Sequence, residues 1–328
     1  MTKIIGRLID VGIGAESSRG AGIAPTFWIP KASYNIDDKV VKARSNQSYT
    51  NIALDGNQAI PAKSWSEGTI DMDMMDNPMG LILYALLGAK SVSGPTDSAY
   101  THTFTLAQTN QHQSLAISVK QLTVANLMYK LAMINTMKME ITPENIVQIT
   151  VAFQGKRGVT TTSTVSYAAS YKKFVGRDLS FKIASLTSGL TAATAIPIKK
   201  LTLNFEKNTM LDHSLGTVQP IDILNQGFRI TGEVELDYQD RTYADYMSDG
   251  TYKAVRINLT NRRSDAVIGA ATNPAFNLDL SRVDFTQWEP SYPNDTITKQ
   301  KFNFTALYDI TNANIINSCT LVNTTASY

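Results

Sequence analysis

The chain has 328 residues and a mass of 36.0 kDa, enough for two ordinary domains or one large one with a sizeable core. Lys and Arg number 30 against 28 Asp and Glu, and charged residues make up 18% of the chain. An average globular chain has about 25%, so global charge argues against binding of nucleic acid through a basic patch. A single cysteine, Cys319, excludes an intrachain disulfide framework and any paired-cysteine zinc site, and reads as a lone thiol near a disordered end. The first 14 residues hold no apolar run long enough for the core of a secretory signal. The longest apolar run, 79–89, is broken by Gly80 and Gly88 and is about half the ~20 residues a bilayer requires, so the expectation is a soluble protein.

Taken in chain order, the elements are mostly strands. Residues 34–41 read as a strand, followed by a long connection over 42–63. Ile70, Met72 and Met74 then share one face and Thr69, Asp71 and Asp73 the other, the period of two that marks a half-buried strand. A helix is expected over 77–87, with Asn77 as cap, Pro78 in the first turn and Gly88 as stop. Its apolar residues are too crowded for one stripe, so it should be buried. Strands follow at 115–120 and in a hairpin over 134–153, where Val147, Ile149, Val151 and Phe153 alternate with Gln148, Thr150 and Ala152. The Thr, Ser and Ala-rich stretch 158–170 has the composition of a linker or an exposed strand. Beyond it come a strand at 201–207, a second long connection over 208–227, and Val234, Leu236 and Tyr238 alternating with Glu233, Glu235 and Asp237. A weaker helix signal covers 240–247, a strand 255–260, and a hairpin 283–306, in which Phe302, Phe304 and Ala306 share a face. The pattern is all-β, a sandwich or barrel.

The two helix signals follow equivalent strands. Gly68, Ile70, Met72, Asp73, Met74 and Asp76 match Gly232, Val234, Leu236, Asp237, Tyr238 and Asp240 at a constant offset of 164, half of 328. Upstream, 34–41 and its loop 42–63 parallel 201–207 and its loop 208–227; downstream, 115–120 parallels 255–260 and the hairpin 134–153 parallels 283–306. Four matches in one order read as a duplication. The expected units are 1–157 and 171–309, joined by the linker 158–170 and followed by a polar tail, 310–328, that packs loosely or on a neighbour.

No chemistry-bearing constellation stands out. His102, His112 and His213 lie on different segments without a second ligand type at metal spacing. Asp71, Asp73 and Asp76 cluster, yet a metal needs ligands converging from several segments. The glycines at 12, 14 and 20 fail the dinucleotide fingerprint because Ser17 stands where the third glycine belongs, and no P-loop or nucleophile elbow is present. Trp28, Trp65 and Trp288 are dispersed, which favours core packing and subunit contacts over a stacking platform. The sequence thus points away from an enzyme and assigns no metal and no cofactor.

The opening Val11-Gly12-Ile13-Gly14-Ala15-Glu16-Ser17-Ser18-Arg19-Gly20, followed by Ala24-Pro25-Thr26-Phe27-Trp28-Ile29-Pro30, resembles the start of the tail tube proteins, or major tail proteins, of tailed bacteriophages. The order of Ser66-Glu67-Gly68-Thr69-Ile70-Asp71, the helix 79–88, Tyr100-Thr101-His102-Thr103-Phe104 and Leu115-Ala116-Ile117-Ser118-Val119 is similar too. The resemblance covers the first half directly and the second through the repeat. It implies a structural virion protein that forms stacked rings, each closing a β-barrel continuous across protomers, as a hollow conduit for genome delivery. Single-domain members make six-fold rings, so a duplicated chain is expected to fill the circle with three copies. The implied partners are further copies of the chain, the tape measure, tail terminator and distal tail proteins, and genomic DNA that passes without specific binding. The implied location is the virion tail, assembled in the host cytoplasm, and the tail is expected to be long and non-contractile. A contractile injection system is the alternative of the same kind, and a tandem carbohydrate-binding module the alternative of a different kind.

Two sets of residues carry this expectation. If the apolar faces of the repeated strands fill the sandwich, the acidic faces bearing Asp71, Asp73, Glu233, Glu235 and Asp237 turn to the lumen, where negative walls keep phosphate from sticking. Lys299 and Lys301, on a possible neighbouring strand, are the counter-indication. The long connections 42–63 and 208–227 carry Ile52, Leu54, Ile60, Ile221, Ile223 and Leu224, more apolar content than a free loop keeps, and are expected to make contacts between rings as extended hairpins.

Overall fold

Strands set by period-two alternation dominate the computed structural model, which describes residues 3, 5–45, 58–122, 124–169 and 171–328. A 3-10 turn at Gly6–Leu8 leads into β1 (Ile9–Ala15), β2 (Phe27–Ile29), β3 (Lys31–Arg44) and β4 (Ala59–Asp73). Helix α1 (Asp76–Leu87) is followed by β5 (Gly88–Thr96), β6 (Ala99–Leu106), β7 (Leu115–Gln121), β8 (Ala125–Ile141), β9 (Gln148–Gly155) and the short β10 (Val159–Thr160). A second 3-10 turn, Gly176–Asp178, precedes β11 (Leu179–Ala184), β12 (Lys200–Glu206), β13 (Thr209–Asp212), β14 (Asp222–Asn225) and β15 (Arg229–Asp237). Helix α2 (Thr242–Ser248) then leads to β16 (Lys253–Thr260), β17 (Ala275–Ser291), β18 (Lys299–Ala306) and β19 (Ile316–Asn323).

The same order of antiparallel connections occurs twice. One series runs β1–β7–β8–β9–β4–β3 and the other β11–β16–β17–β18–β15–β12. Pairing of β12 with β8 joins them, with Leu203 opposite Met139, so one sheet runs β3–β4–β9–β8–β12–β15–β18–β17 across the molecule. β8 and β17 are each 17 residues long, and each shifts register against its neighbour in the shared sheet, between Ile134 and Thr136 and between Phe285 and Gln287. A bulge bends and twists a strand. Here it lets the two halves of each long strand serve different layers: the first halves join the outer strands β7 and β16, the second halves the shared sheet.

The core lies between these layers. Ile70, Met72, Met139, Ile149, Leu201, Leu203, Val234, Phe302 and Phe304 are all buried on the back of the shared sheet. Helix α1 is buried on nearly every side, as its crowded apolar residues require. Its first turn differs from expectation: the N-cap position is Met75, with no side-chain cap, and the Asn77 Oδ1 accepts from Thr325 Oγ1 at 3.0 Å instead. Its C-terminus is as expected, since Gly88 is left-handed (φ 91°) and returns its N–H to the Tyr84 carbonyl. The next three carbonyls face Lys207 Nζ at Ala85 (2.8 Å), the His112 ring nitrogen Nδ1 at Leu86 (3.0 Å) and the Ala107 N–H at Leu87 (2.7 Å), so each carbonyl of the last turn meets a polar group. Helix α2 starts two residues later than expected and lays Tyr243 on Phe302, with ring centroids 4.5 Å apart. No helix among the described residues is long and apolar enough to cross a membrane.

Three expectations need correction. The stretch 310–328 is not loose: β19 pairs with β17 on one side and β6 on the other, and Tyr328 donates to the Asn77 carbonyl at 2.7 Å. Cys319 sits in that strand, 1% exposed, and burial pushes its thiol up to about 12. The long connections are not loops throughout but begin and end in paired strand: β3 and β4 stay paired out to Arg44 and Ala59, and β13 pairs with β14. Alternation in the tail was masked by the polar Asn, Ser and Thr that surround Ile316, Cys319 and Leu321, whereas long-range pairing supplies the backbone partners that make it a strand.

Candidate assembly surface

The five acids singled out from sequence lie on one face of the shared sheet, opposite the buried row. Asp71 and Asp73 stand on β4, and Glu233, Glu235 and Asp237 on β15, with β9, β8 and β12 between them. They do not form a bare negative wall. Glu233 meets Lys301 at 2.9 Å, Glu235 meets Lys299 at 2.8 Å, Asp237 meets Lys199 at 3.2 Å and Asp73 meets Lys173 at 2.6 Å. Asp71 accepts from Thr150 Oγ1 at 2.7 Å and from Ser33 Oγ. Between the two acidic strands, Glu140 sits between Lys200 at 2.8 Å and Lys138 at 2.9 Å, and its hydrogen bonds to them hold its carboxyl below the usual range. Such exposed pairs add about 0–1 kcal/mol each to stability. Their larger consequence is charge compensation: the face is polar, mixed in sign and internally hydrogen-bonded.

Two edges of this sheet have no partner among the described residues: the outer edge of β3 and that of the second half of β17. The internal junction shows what such edges look like when covered. There Leu201 and Leu203 of β12 and Met137 and Met139 of β8 are at most 1% exposed. The positions equivalent to Leu201 and Leu203 are Tyr34 and Ile36 on β3, and those equivalent to Met137 and Met139 are Trp288 and Pro290 on β17; all four are only half-buried.

The long hairpins lie side by side. The Ser64 N–H donates to the Val218 carbonyl at 2.8 Å, and the Trp65 and His213 rings meet edge-on at 6.3 Å. Ile60 and Ile221 are exposed and Leu224 is half-buried, but Ile223 is turned inward against Leu131 and Met133 and is unavailable as a surface contact. Ile52 and Leu54 fall outside the described residues. The base of β13–β14 is clamped by Arg19, which meets the Asp222 carboxylate at 2.5 Å and the carbonyls of Ile223 at 2.7 Å and His112 at 2.5 Å.

Arg19 belongs to the glycine-rich opening, which has a structural job. Glu16 is 4% exposed and accepts from the N–H groups of Gly20 (2.7 Å), Gly22 (3.1 Å) and Leu131 (3.0 Å) and from Ser114 Oγ (2.6 Å). Backbone donors that a phosphate loop would present to a ligand are here spent on a carboxylate of the same chain. Sequence spacing alone did not single out Glu16; its isolation among small residues ahead of Arg19 was the available signal. Two of the three histidines are equally internal: His102 Nε2 lies 2.7 Å from the Thr325 carbonyl, and His112 lies between two carbonyls, whereas His213 is half-buried beside Trp65. Burial pulls the imidazoles of His102 and His112 down. Among the described residues no group of three or more metal-ligating side chains converges.

A comparison with curated proteins finds no match. A family model described as phage tail tube protein matches residues 6–306, nearly the whole chain. The chain therefore belongs to the phage tail tube protein family, with the structural role in the virion tail that membership carries.

Proposed function

We propose that this chain is the major tail subunit of a non-contractile phage tail, built of two tandem copies of one unit (1–157 and 171–309, linked by 158–170). Three chains close a ring with pseudo-six-fold symmetry, and stacked rings form the conduit through which DNA enters the host. The observation that carries the reading is the β8–β12 junction together with the two free edges that would repeat it. Laying β3 of one copy against β17 of the next in the register of β12 against β8 places Ile36 beside Pro290 and Tyr34 beside Tyr292. That removes the half-exposed apolar row from water and leaves no open sheet edge in the circle.

In that ring the polar face turns to the lumen. DNA binds proteins chiefly by displacing counterions onto Lys and Arg. Lysines already held by Glu233, Glu235, Asp237 and Asp73 offer phosphate little, so the duplex slides along a wall that neither attracts nor strongly repels it. Ile60 and Ile221, on the exposed parts of the two hairpins, contact the adjoining ring. Assembly takes place in the host cytoplasm, with tape measure, terminator and distal tail proteins setting the length and ends. Electron microscopy of the purified protein tests the reading: rings or tubes of uniform diameter with three copies per ring are expected, and a protein that stays monomeric at high concentration overturns it.

A further inference from the structure

Resting on that reading, the structure assigns a socket for the neighbouring copy. We infer that the groove around Gly6, Arg7, Pro30, Lys31, Tyr167 and Tyr171 receives the β17–β18 loop, 292–298, of the next copy in the ring.

The pattern for this contact lies inside the chain. The turn Gly176–Asp178 opens β11 as Gly6–Leu8 opens β1, and each begins Gly-Arg. Against Gly176 packs the β8–β9 loop: the Thr142 carbonyl oxygen lies 2.1 Å from where a Cβ on Gly176 would be, so only glycine fits there. The Gly176 N–H donates to the Asn145 carbonyl at 3.2 Å, Ile146 and Val175 form an antiparallel bridge, and the Val147 N–H donates to the Phe174 carbonyl at 3.0 Å. The space left around Ile141, Thr142, Pro143, Gly176 and Arg177 is about 160 Å³.

At the first turn the same features stand empty. Nothing comes within 4 Å of a Cβ on Gly6, and the groove measures about 650 Å³. The loop that corresponds to 142–147 is the one after β17. The correspondence is fixed by matching bonds: Met74 N–H to the Val147 carbonyl in one series, Tyr238 N–H to the Thr298 carbonyl in the other. Ile297 thereby takes the place of Ile146, and Ile5, next to Gly6, the place of Val175. Both are exposed, Ile297 by 71% and Ile5 by 62%. Charge agrees as well: the loop carries Asp295 where the internal one has Glu144, and the groove carries Arg7 where the internal one has Arg177. A bridge between Ile5 and Ile297 of adjoining copies extends the sheet junction at its end and fills the groove.

The test is a disulfide across the bridge. A chain carrying both Ile5→Cys and Ile297→Cys, oxidised after assembly, should give a ladder of covalent dimers and trimers ending at the closed ring, and neither single variant should; Cys319 is buried and silent. Normal tubes that run as single chains after oxidation overturn the socket while leaving the tube reading intact, and a wild-type protein that makes no rings overturns both. A second variant guards against a disturbed fold. Gly6→Trp enters open space in the free chain, so its thermal unfolding should match wild type while ring formation is lost at least tenfold in yield; tubes formed as readily as wild type overturn the socket.

Discussion

Replacing Lys207 with methionine should stabilise the protein at neutral and acidic pH and abolish one component of its pH dependence. Lys207 is fully buried, and its ammonium has one hydrogen bond, to the Ala85 carbonyl at the end of α1. Burial, with a smaller contribution from the nearby Arg19 charge, pulls it down from 10.5 to about 7. Between those two values the unfolded chain holds a proton that the folded chain lacks, so stability rises with pH across that window. Below it the folded protein carries the whole desolvation cost, about 5 kcal/mol at about 1.4 kcal/mol per pH unit; above it the cost is gone. Methionine removes this cost but leaves the Ala85 carbonyl without its donor, a loss of about 1–2 kcal/mol. The net expectation is a gain of about 3 kcal/mol at about pH 6, shrinking to zero or a small loss at about pH 10. Urea unfolding of wild type and variant, followed by tryptophan fluorescence across that range, reads the difference directly. A difference that does not change with pH, or a variant less stable than wild type at the acidic end, would refute the reasoning.

Other consequences can be checked in the same way. Glu16→Ala strands the N–H groups of Gly20, Gly22 and Leu131 and should cost about 3–5 kcal/mol; a thermal unfolding shift corresponding to under about 1 kcal/mol would show that the network is not what holds the opening loop. Asp97 joins the β5–β6 tip to the loop before β17 by accepting from the N–H groups of Ala270 (2.8 Å) and Ala271 (2.8 Å), and these bonds hold its carboxyl below the usual range. Protection of those amides against hydrogen exchange should therefore persist through the ordinary carboxylate range, disappear only in stronger acid, and be absent in Asp97→Ala at every pH. Charge reversal to lysine at Asp71, Asp73, Glu233 and Glu235 should leave tubes assembled but slow DNA ejection, because it exposes unpaired cations to phosphate; an unchanged ejection rate counts against the lumen placement.

Much of the shared sheet was legible in the sequence because a strand writes its two faces into residues i and i+2. Ile70 and Met72 against Asp71 and Asp73, and Val234 and Leu236 against Glu233 and Glu235, needed no partner to be read. Pro78 and Gly88 likewise marked α1 through their own backbone preferences. The matching elements of the two series appeared as an offset of 164 for the same reason: equivalent burial leaves equivalent patterns.

What sits across from a strand is decided at long range. Lys301 neutralises Glu233 only because β18 lies beside β15 in one register, and a slip of one residue would turn it to the core. The strand β19, the inward turn of Ile223, the burial of Lys207 against Ala85 and the Glu16 network all depend on segments far apart in sequence, each supplying one half of a contact. Sequence alone therefore determined the faces of the elements and the family; the tertiary structure alone decided which charges are compensated, which hydrophobes are spent inside the chain, and which sheet edges have no partner among the described residues. The physical reason is that periodicity is a property of one segment, whereas compensation and closure are properties of pairs.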